Sequence, residues 1–312
     1  MILSQFKGVT RTNLGGEFPL DSLAPLTRTL LPLFWVSVGL FLGDRAWDRW
    51  LFSVINFDFP NMLPSLFQSA WDFAMVALTT LGDAIVLIWV YLLFNFLAWL
   101  AKGDYLLEEL KARCFVFTLV LILATLPIQG LKEYFLELRP SGVLLADQLR
   151  ILAPTPRDFS FPSGHTAGIF ACVGALLPLI PRGWLVPAIV LAFLVGFSRI
   201  AVGAHWPLDV SAGAFIGSLT SIVSWKFTIW VQRKRLNGSK LLAWFFQSVV
   251  NLGFFLIAIA CIYSVFYLEE HRTLVFGIIL SSLLIALMTQ TLQISRLRQL
   301  HTADSAINTQ TK

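Results

Sequence analysis

The feature that most restricts what this chain can fold into is a succession of long apolar runs. They fall at roughly 28–43, 84–101, 114–131, 166–181, 184–200, 208–230, 242–267 and 273–291. A hydrocarbon core of about 30 Å takes about 20 apolar residues per helical crossing. The runs therefore predict an all-α, polytopic membrane helix bundle with eight spans. Composition agrees, since 57% of the residues are hydrophobic and only 13% are charged, which excludes an ordinary soluble domain. The net charge of +5 does not point to nucleic acid. The basic residues are scattered between apolar runs, the pattern that membrane topology imposes.

Segment 46–82 is different in kind. It carries Trp47, Trp50, Phe57, Phe59, Phe67, Trp71 and Phe73 among a few acids, and reads as amphipathic helices lying in the membrane interface. A ninth span at 64–82 is the competing assignment. The mixed stretch 1–26 lacks an apolar core directly after its basic residues, so the first run is expected to be a retained anchor rather than a cleaved signal. Cys114, Cys172 and Cys261 lie in or beside apolar runs with no CxxC pair. They read as small packing residues, neither a disulfide framework nor a metal site. Glycines at 213 and 217, flanked by Ala212, Ala214 and Ser218, give the sixth span a small-residue face for close helix contact. Gly168 and Gly174 offer the same in the fourth.

The basic loop Arg233-Lys-Arg-Leu-Asn-Gly-Ser-Lys240 is a natural boundary. It divides a six-span core with interfacial helices at about 46–82 (residues 1–231) from two further spans and a polar tail (232–312). With the N-terminus in the cytoplasm, 14 Lys and Arg residues fall on the inner side and 8 on the outer side. That bias predicts both termini inside. Five of the eight outer cations, Lys132, Arg139, Arg150, Arg157 and Arg199, lie between 132 and 199, and topology does not explain them.

These cations lie in or near three polar islands, all expected on the extracytoplasmic face: Lys132-x6-Arg139-Pro140, Phe161-Pro-Ser-Gly-His165-Thr166, and Ser198-Arg-Ile-Ala-Val-Gly-Ala-His-Trp-Pro-Leu-Asp209. If the third helix continues past Leu131, Lys132 and Arg139 share one of its faces. Glu133 and Glu137 then point away. Arg199 joins them from elsewhere, with Asp209 the acid expected to face them. Three cations around one acid fit a multiply charged oxyanion, and phosphate suits the bidentate geometry of arginine. Ser163 and Gly164 precede an apolar helix whose free amides attract anions, and Gly164 allows close backbone approach. Asp209 lies four residues after His205, across a helix start marked by Pro207. It can fix the tautomer of His205 and leave the other ring nitrogen free to attack. His165 is a second histidine on the same face, so one can act as nucleophile and the other as general acid. A zinc site is disfavoured, because HExxH and a clear third ligand are both missing and the cations would repel a metal. A Ser163 nucleophile is a further option, although GxSxG is absent.

Together KEYFLELRP (Lys132 to Pro140), PSGH (Pro162 to His165) and SRIAVGAHWPLD (Ser198 to Asp209) resemble the three-part motif of the type 2 phosphatidic acid phosphatase superfamily. That motif is K-x6-RP, PSGH and SR-x5-H-x3-D, and every defining position matches in order. The resemblance covers roughly 28–231. It implies a six-helix core and a lipid phosphatase in which His205 attacks phosphorus to form a phosphohistidine, Asp209 orients it, and His165 protonates the leaving group. Lys132, Arg139, Ser163, Gly164 and Arg199 would hold the phosphoryl oxygens, with no metal and no cofactor.

The expected protein is thus a multi-pass hydrolase of a bacterial inner membrane, acting on a lipid phosphate or diphosphate from the periplasmic side. Candidate substrates are undecaprenyl diphosphate, phosphatidylglycerol phosphate, phosphatidic acid and lipid A. Its partners are the lipid substrate and the bilayer, not nucleic acid; no oligomeric state is assigned. A phosphotransferase passing the phosphoryl group to another acceptor, and a non-enzymatic lipid-binding protein on the same scaffold, are the alternatives. A soluble vanadium haloperoxidase has similar motifs, but eight apolar spans argue against it.

Overall fold

A computed structural model describes residues 24–42, 45–84, 86–92, 106–153, 159–180, 182–236 and 238–267. The described elements are helical, with no strand among them. They are α1 (Ala24–Leu42), α2 (Ala46–Ser53), α3 (Phe59–Met62), α4 (Ser65–Thr80), α5 (Leu106–Phe135), α6 (Gly164–Leu176), α7 (Leu185–Ala201), α8 (Pro207–Leu236) and α9 (Lys240–Tyr267). A five-residue π-helical turn, Val54–Asp58, joins α2 to α3, and residues 86–92 are helical as well. Among the described residues, three stretches are long and apolar enough to cross a membrane: Lys111–Gly142, Arg182–Ala201 and Pro207–Arg235. Leu26–Gly39 and Gly164–Leu179 are shorter apolar helices.

The expected first, third to sixth and seventh runs each coincide with a helix. Most of the expected second span, the eighth span at 273–291, Arg157 and the polar tail lie outside the described residues. Segment 46–82 forms the short helices α2 to α4, the last of them 16 residues long.

The middle of the bundle is α8. It lies most extensively on α6 and also touches α1, α5 and α7. Small residues permit the close approach. A Cβ on Gly213 would collide with the carbonyl oxygen of Ser163, and one on Gly217 with that of Ala167. From the other side, a Cβ on Gly174 would run into the hydroxyl of Ser221. Around this contact Phe170, Val173, Val195, Ile222 and Trp225 form the main buried cluster. Gly217→Val is expected to cost about 1–3 kcal/mol by overpacking, read as a lowered thermal midpoint of detergent-purified protein. An unchanged midpoint would contradict the close contact.

Consecutive long helices alternate in direction, so α5 and α7 end where α6 and α8 begin. That end of the bundle carries all three polar islands. The helices before them contribute as well. Asn56, fully buried in the π-helical turn, donates to the carbonyls of Arg150 (2.8 Å) and Ala201 (2.9 Å) and accepts from the Arg150 amide (2.9 Å). It ties the loop after α5 to the end of α7.

Candidate active site

The turn between α7 and α8 positions His205. Gly203 adopts φ +81, a left-handed conformation glycine takes at no steric cost, and a Cβ there would strike the carbonyl of Arg150. The chain folds back so that the Ala204 and His205 amides both donate to the Arg199 carbonyl, at 3.1 and 3.2 Å. Pro207 then opens α8, where its missing N–H costs nothing. Asp209, in the first turn, reaches back to accept the Trp206 amide at 2.9 Å, the acid half of a capping box. Asp48 of α2 accepts the next amide, Leu208, at 2.7 Å. Asp48 is fully buried, and burial pushes its carboxyl up to about 6, against the pull of that amide.

The same oxygen of Asp209, Oδ2, lies 3.2 Å from His205 Nδ1 and accepts a short hydrogen bond from the Ser160 hydroxyl. On the other side of the ring, Arg139 Nη1 is 3.0 Å from Nε2. A guanidinium can only donate, so Nε2 is the unprotonated nitrogen and Nδ1 carries the hydrogen that Asp209 accepts. Both residues are buried, His205 to 2% exposure and Asp209 to 0%. His205 is held well below its ordinary pKa, first by burial and then by the charges of Arg139, Arg199 and Lys132. The tautomer and the electrostatics agree: the ring is neutral with a lone pair on Nε2.

The cations converge by a route different from the expected one. Lys132 is in the last turn of α5, but that helix stops at Phe135. Leu136 adopts φ 50, and its amide closes on the Lys132 carbonyl at 3.0 Å. Pro140 sets the conformation of Arg139. The residue before a proline is kept out of the α region, and Arg139 is extended at φ −67, ψ 160. The two cations therefore share an acceptor rather than a helix face. Lys132 Nζ donates a short hydrogen bond to the Phe159 carbonyl, and Arg139 Nη2 reaches the same oxygen at 3.4 Å. Arg139 Nη1 also donates to the Ala204 carbonyl at 2.8 Å. Arg199 closes the last turn of α7 and gives a short hydrogen bond to the Thr79 hydroxyl. All three side chains are buried.

Ser163 is the N-cap of α6, its Oγ accepting from the Thr166 amide (3.4 Å) and hydroxyl (2.9 Å). The Ser163 amide donates to the Asp209 carbonyl at 3.0 Å, so the second island is joined directly to the third. Gly164 opens the helix with an exposed backbone. His165 follows, with Nε2 2.6 Å from Asp83 Oδ1. Of the two glutamates expected to point away, Glu133 is exposed and Glu137 pairs with Arg45.

Every residue singled out in the three islands thus lies at one end of the bundle, and the hydrogen bonds above link the islands. Sequence reasoning missed Ser160, Thr79, Asp48, Asp83 and the Phe159 carbonyl. Ser160 had a signal, being a hydroxyl immediately before the second island. The three residues from 46–84 had none, because nothing local shows which long-range partner they meet. Among the described residues, no group of three or more His, Cys, Asp or Glu is placed to hold a metal ion.

Comparison with known proteins adds an independent line. The family model of the PAP2 superfamily matches residues 113–233, a range containing all three islands. An undecaprenyl-diphosphatase from Sulfolobus acidocaldarius is 34% identical over 128 residues, covering 40% of this chain and 61% of its own. A lipid A 4'-phosphatase from Bacteroides thetaiotaomicron is 32% identical over 154 residues, covering 47% and 65%. This chain spans less than two thirds of the length of either relative. A crystal structure of Aquifex aeolicus LpxE is 31% identical, covering 56% of this chain and 93% of that one, with a TM-score of 0.44.

Proposed function

Since this chain belongs to the PAP2 superfamily, we propose that it is a membrane phosphatase that hydrolyses a lipid phosphate or diphosphate through a phosphohistidine. The observation carrying this reading is the His205 environment, with Nδ1 on Asp209 and Nε2 beside Arg139. The relatives' names, undecaprenyl-diphosphatase and lipid A phosphatase, support a lipid headgroup as substrate. In the proposed first step the Nε2 lone pair forms a bond to phosphorus. The bond from phosphorus to the leaving oxygen breaks, and its electron pair stays on that oxygen, which takes a proton from His165. In the second step water attacks phosphorus, the N–P bond breaks and its pair returns to Nε2, while the water proton goes to His165. Lys132, Arg139 and Arg199 balance the oxyanion charge, together with the Ser163 hydroxyl and the Gly164 backbone at the start of α6. The chemistry is drawn from 1–231, with 232–312 an addition to it. The charge bias of the loops supports a site on the extracytoplasmic face of a bacterial inner membrane.

The direct test is phosphate release by detergent-purified protein, in EDTA, from undecaprenyl diphosphate, phosphatidylglycerol phosphate, phosphatidic acid and lipid A. Release from at least one is expected. Release from none, or release restored only by a divalent metal, would overturn the reading.

A pH profile tests the charge argument. His205 attacks only when neutral, and its depressed pKa keeps it neutral below the ordinary value of about 6.5. The acid limb of kcat/KM should therefore fall below pH 6.5, and Lys132→Met should move it upward by removing a repelling charge. An acid limb at or above 6.5 in the parent protein would contradict the assignment.

A further inference from the structure

We propose that Asp83 is the positioning residue of His165, holding Nε2–H so that the proton exchanged with substrate is the one on Nδ1. This rests on the phosphatase reading above. The carboxylate is 2.6 Å from Nε2, and an ionised carboxylate only accepts. The hydrogen in that contact therefore belongs to Nε2 whether the ring is neutral or charged. The position that changes its proton is Nδ1.

The contact is built into the fold. Asp83 lies on the turn that ends α4, where the amides of Leu81, Gly82 and Asp83 close on the carbonyls of Leu78, Thr79 and Thr80. Gly82 presses this turn against the site. A Cβ there would come within 3.2 Å of the His165 Cβ and 2.9 Å of Val195. The same turn places Thr79 on Arg199. Five consecutive residues from outside the three islands thus reach both the second histidine and the third-island arginine. The charged groups acting on His165 are Asp83, Arg199 from α7 and Arg139 from the loop after α5, and His165 in turn bears on His205. The two arginines oppose an imidazolium, and Asp83 offsets them.

Asp83 then matters in proportion to how much the leaving oxygen needs a proton. An alkoxide leaving from a phosphomonoester needs it fully. A phosphate leaving from a diphosphate is stable without it. In the forward step Nδ1–H passes to the leaving oxygen and the ring becomes neutral, keeping Nε2–H on Asp83. In the hydrolytic step the attacking water returns a proton to Nδ1.

The experiment compares parent protein, Asp83→Asn and Asp83→Glu on phosphatidic acid and on undecaprenyl diphosphate across pH. Asp83→Asn should lower kcat on the monoester by about 10–100-fold, part of the 10²–10⁴ that general acid catalysis supplies. The loss on the diphosphate should be at least fivefold smaller. On whichever substrate is turned over, the alkaline limb of kcat should move to lower pH, because the imidazolium has lost its counter-charge. Asp83→Glu should restore the limb and most of the rate. Equal losses on both substrates with an unmoved limb, or no loss at all, would overturn the assignment. If Asp83→Asn does not fold, Asp83→Ala takes its place in the same comparison, and the same outcomes decide. Where phosphatidic acid is not turned over, phosphatidylglycerol phosphate serves as the monoester; a parent protein that releases phosphate from none of the four lipids named above would instead remove the phosphatase reading itself.

Discussion

Phosphate release falls by about 10⁴-fold or more when His205 is replaced by alanine, if Nε2 is the atom that bonds to phosphorus. The size follows from losing a covalent route rather than a contact. In enzymes whose catalytic groups act as a unit, deleting the nucleophile costs nearly as much as deleting the whole set, and what survives comes from binding and charge stabilisation. Here the surviving part would be Lys132, Arg139 and Arg199. The substituted protein should still bind a lipid phosphate, so binding measured separately from turnover isolates the effect. Near-parental turnover would remove His205 from the chemistry. The same loss accompanied by a collapsed thermal midpoint would point to His205 as a packing residue, since its ring is fully enclosed.

Asp209→Asn is expected to lower kcat by about 10²–10⁴-fold, the range set by general acid–base losses and by the analogous substitution in a Ser-His-Asp triad. The geometry says why. Oδ2 accepts from the Trp206 amide, the Ser160 hydroxyl and His205 Nδ1. The charge on that carboxylate supports Nδ1–H as the ring becomes cationic on bonding to phosphorus. An amide oxygen in the place of Oδ2 accepts the same donors but is neutral, so that support is lost. If the amide instead turns its NH2 to Nδ1, that nitrogen must carry the lone pair, the hydrogen moves to Nε2 against Arg139, and attack is blocked. Either way the loss should fall on kcat with KM little changed. A change confined to KM would contradict the role assigned to Asp209.

Much of this was legible in the chain because membrane spans and sequence motifs are local. Apolar length located α1 and α6 to α9 closely, while α5 begins well before its apolar run, at Leu106, because Glu108, Glu109 and Lys111 extend the helix beyond the hydrocarbon-compatible part. The spacing His205-x3-Asp209 sufficed for their pairing, since a proline-started helix turn fixes that distance. Lys132 and Arg139 show the limit of local reasoning. Seven residues spell two helical turns, yet Pro140 holds Arg139 extended and the helix ends early. They still meet, through the Phe159 carbonyl. Asp48, Thr79 and Asp83 were illegible for another reason. They reach partners 160, 120 and 82 positions away, and their own segment reads only as an amphipathic surface.

The Phe159 carbonyl carries one more consequence. It holds Lys132 and Arg139 side by side with an acceptor that has no charge of its own. A carboxylate in that place would fix the two side chains equally well but cancel part of their field. A backbone oxygen works as a clamp that leaves the pair's charge intact, so the two cations are positioned in advance without being neutralised by what positions them.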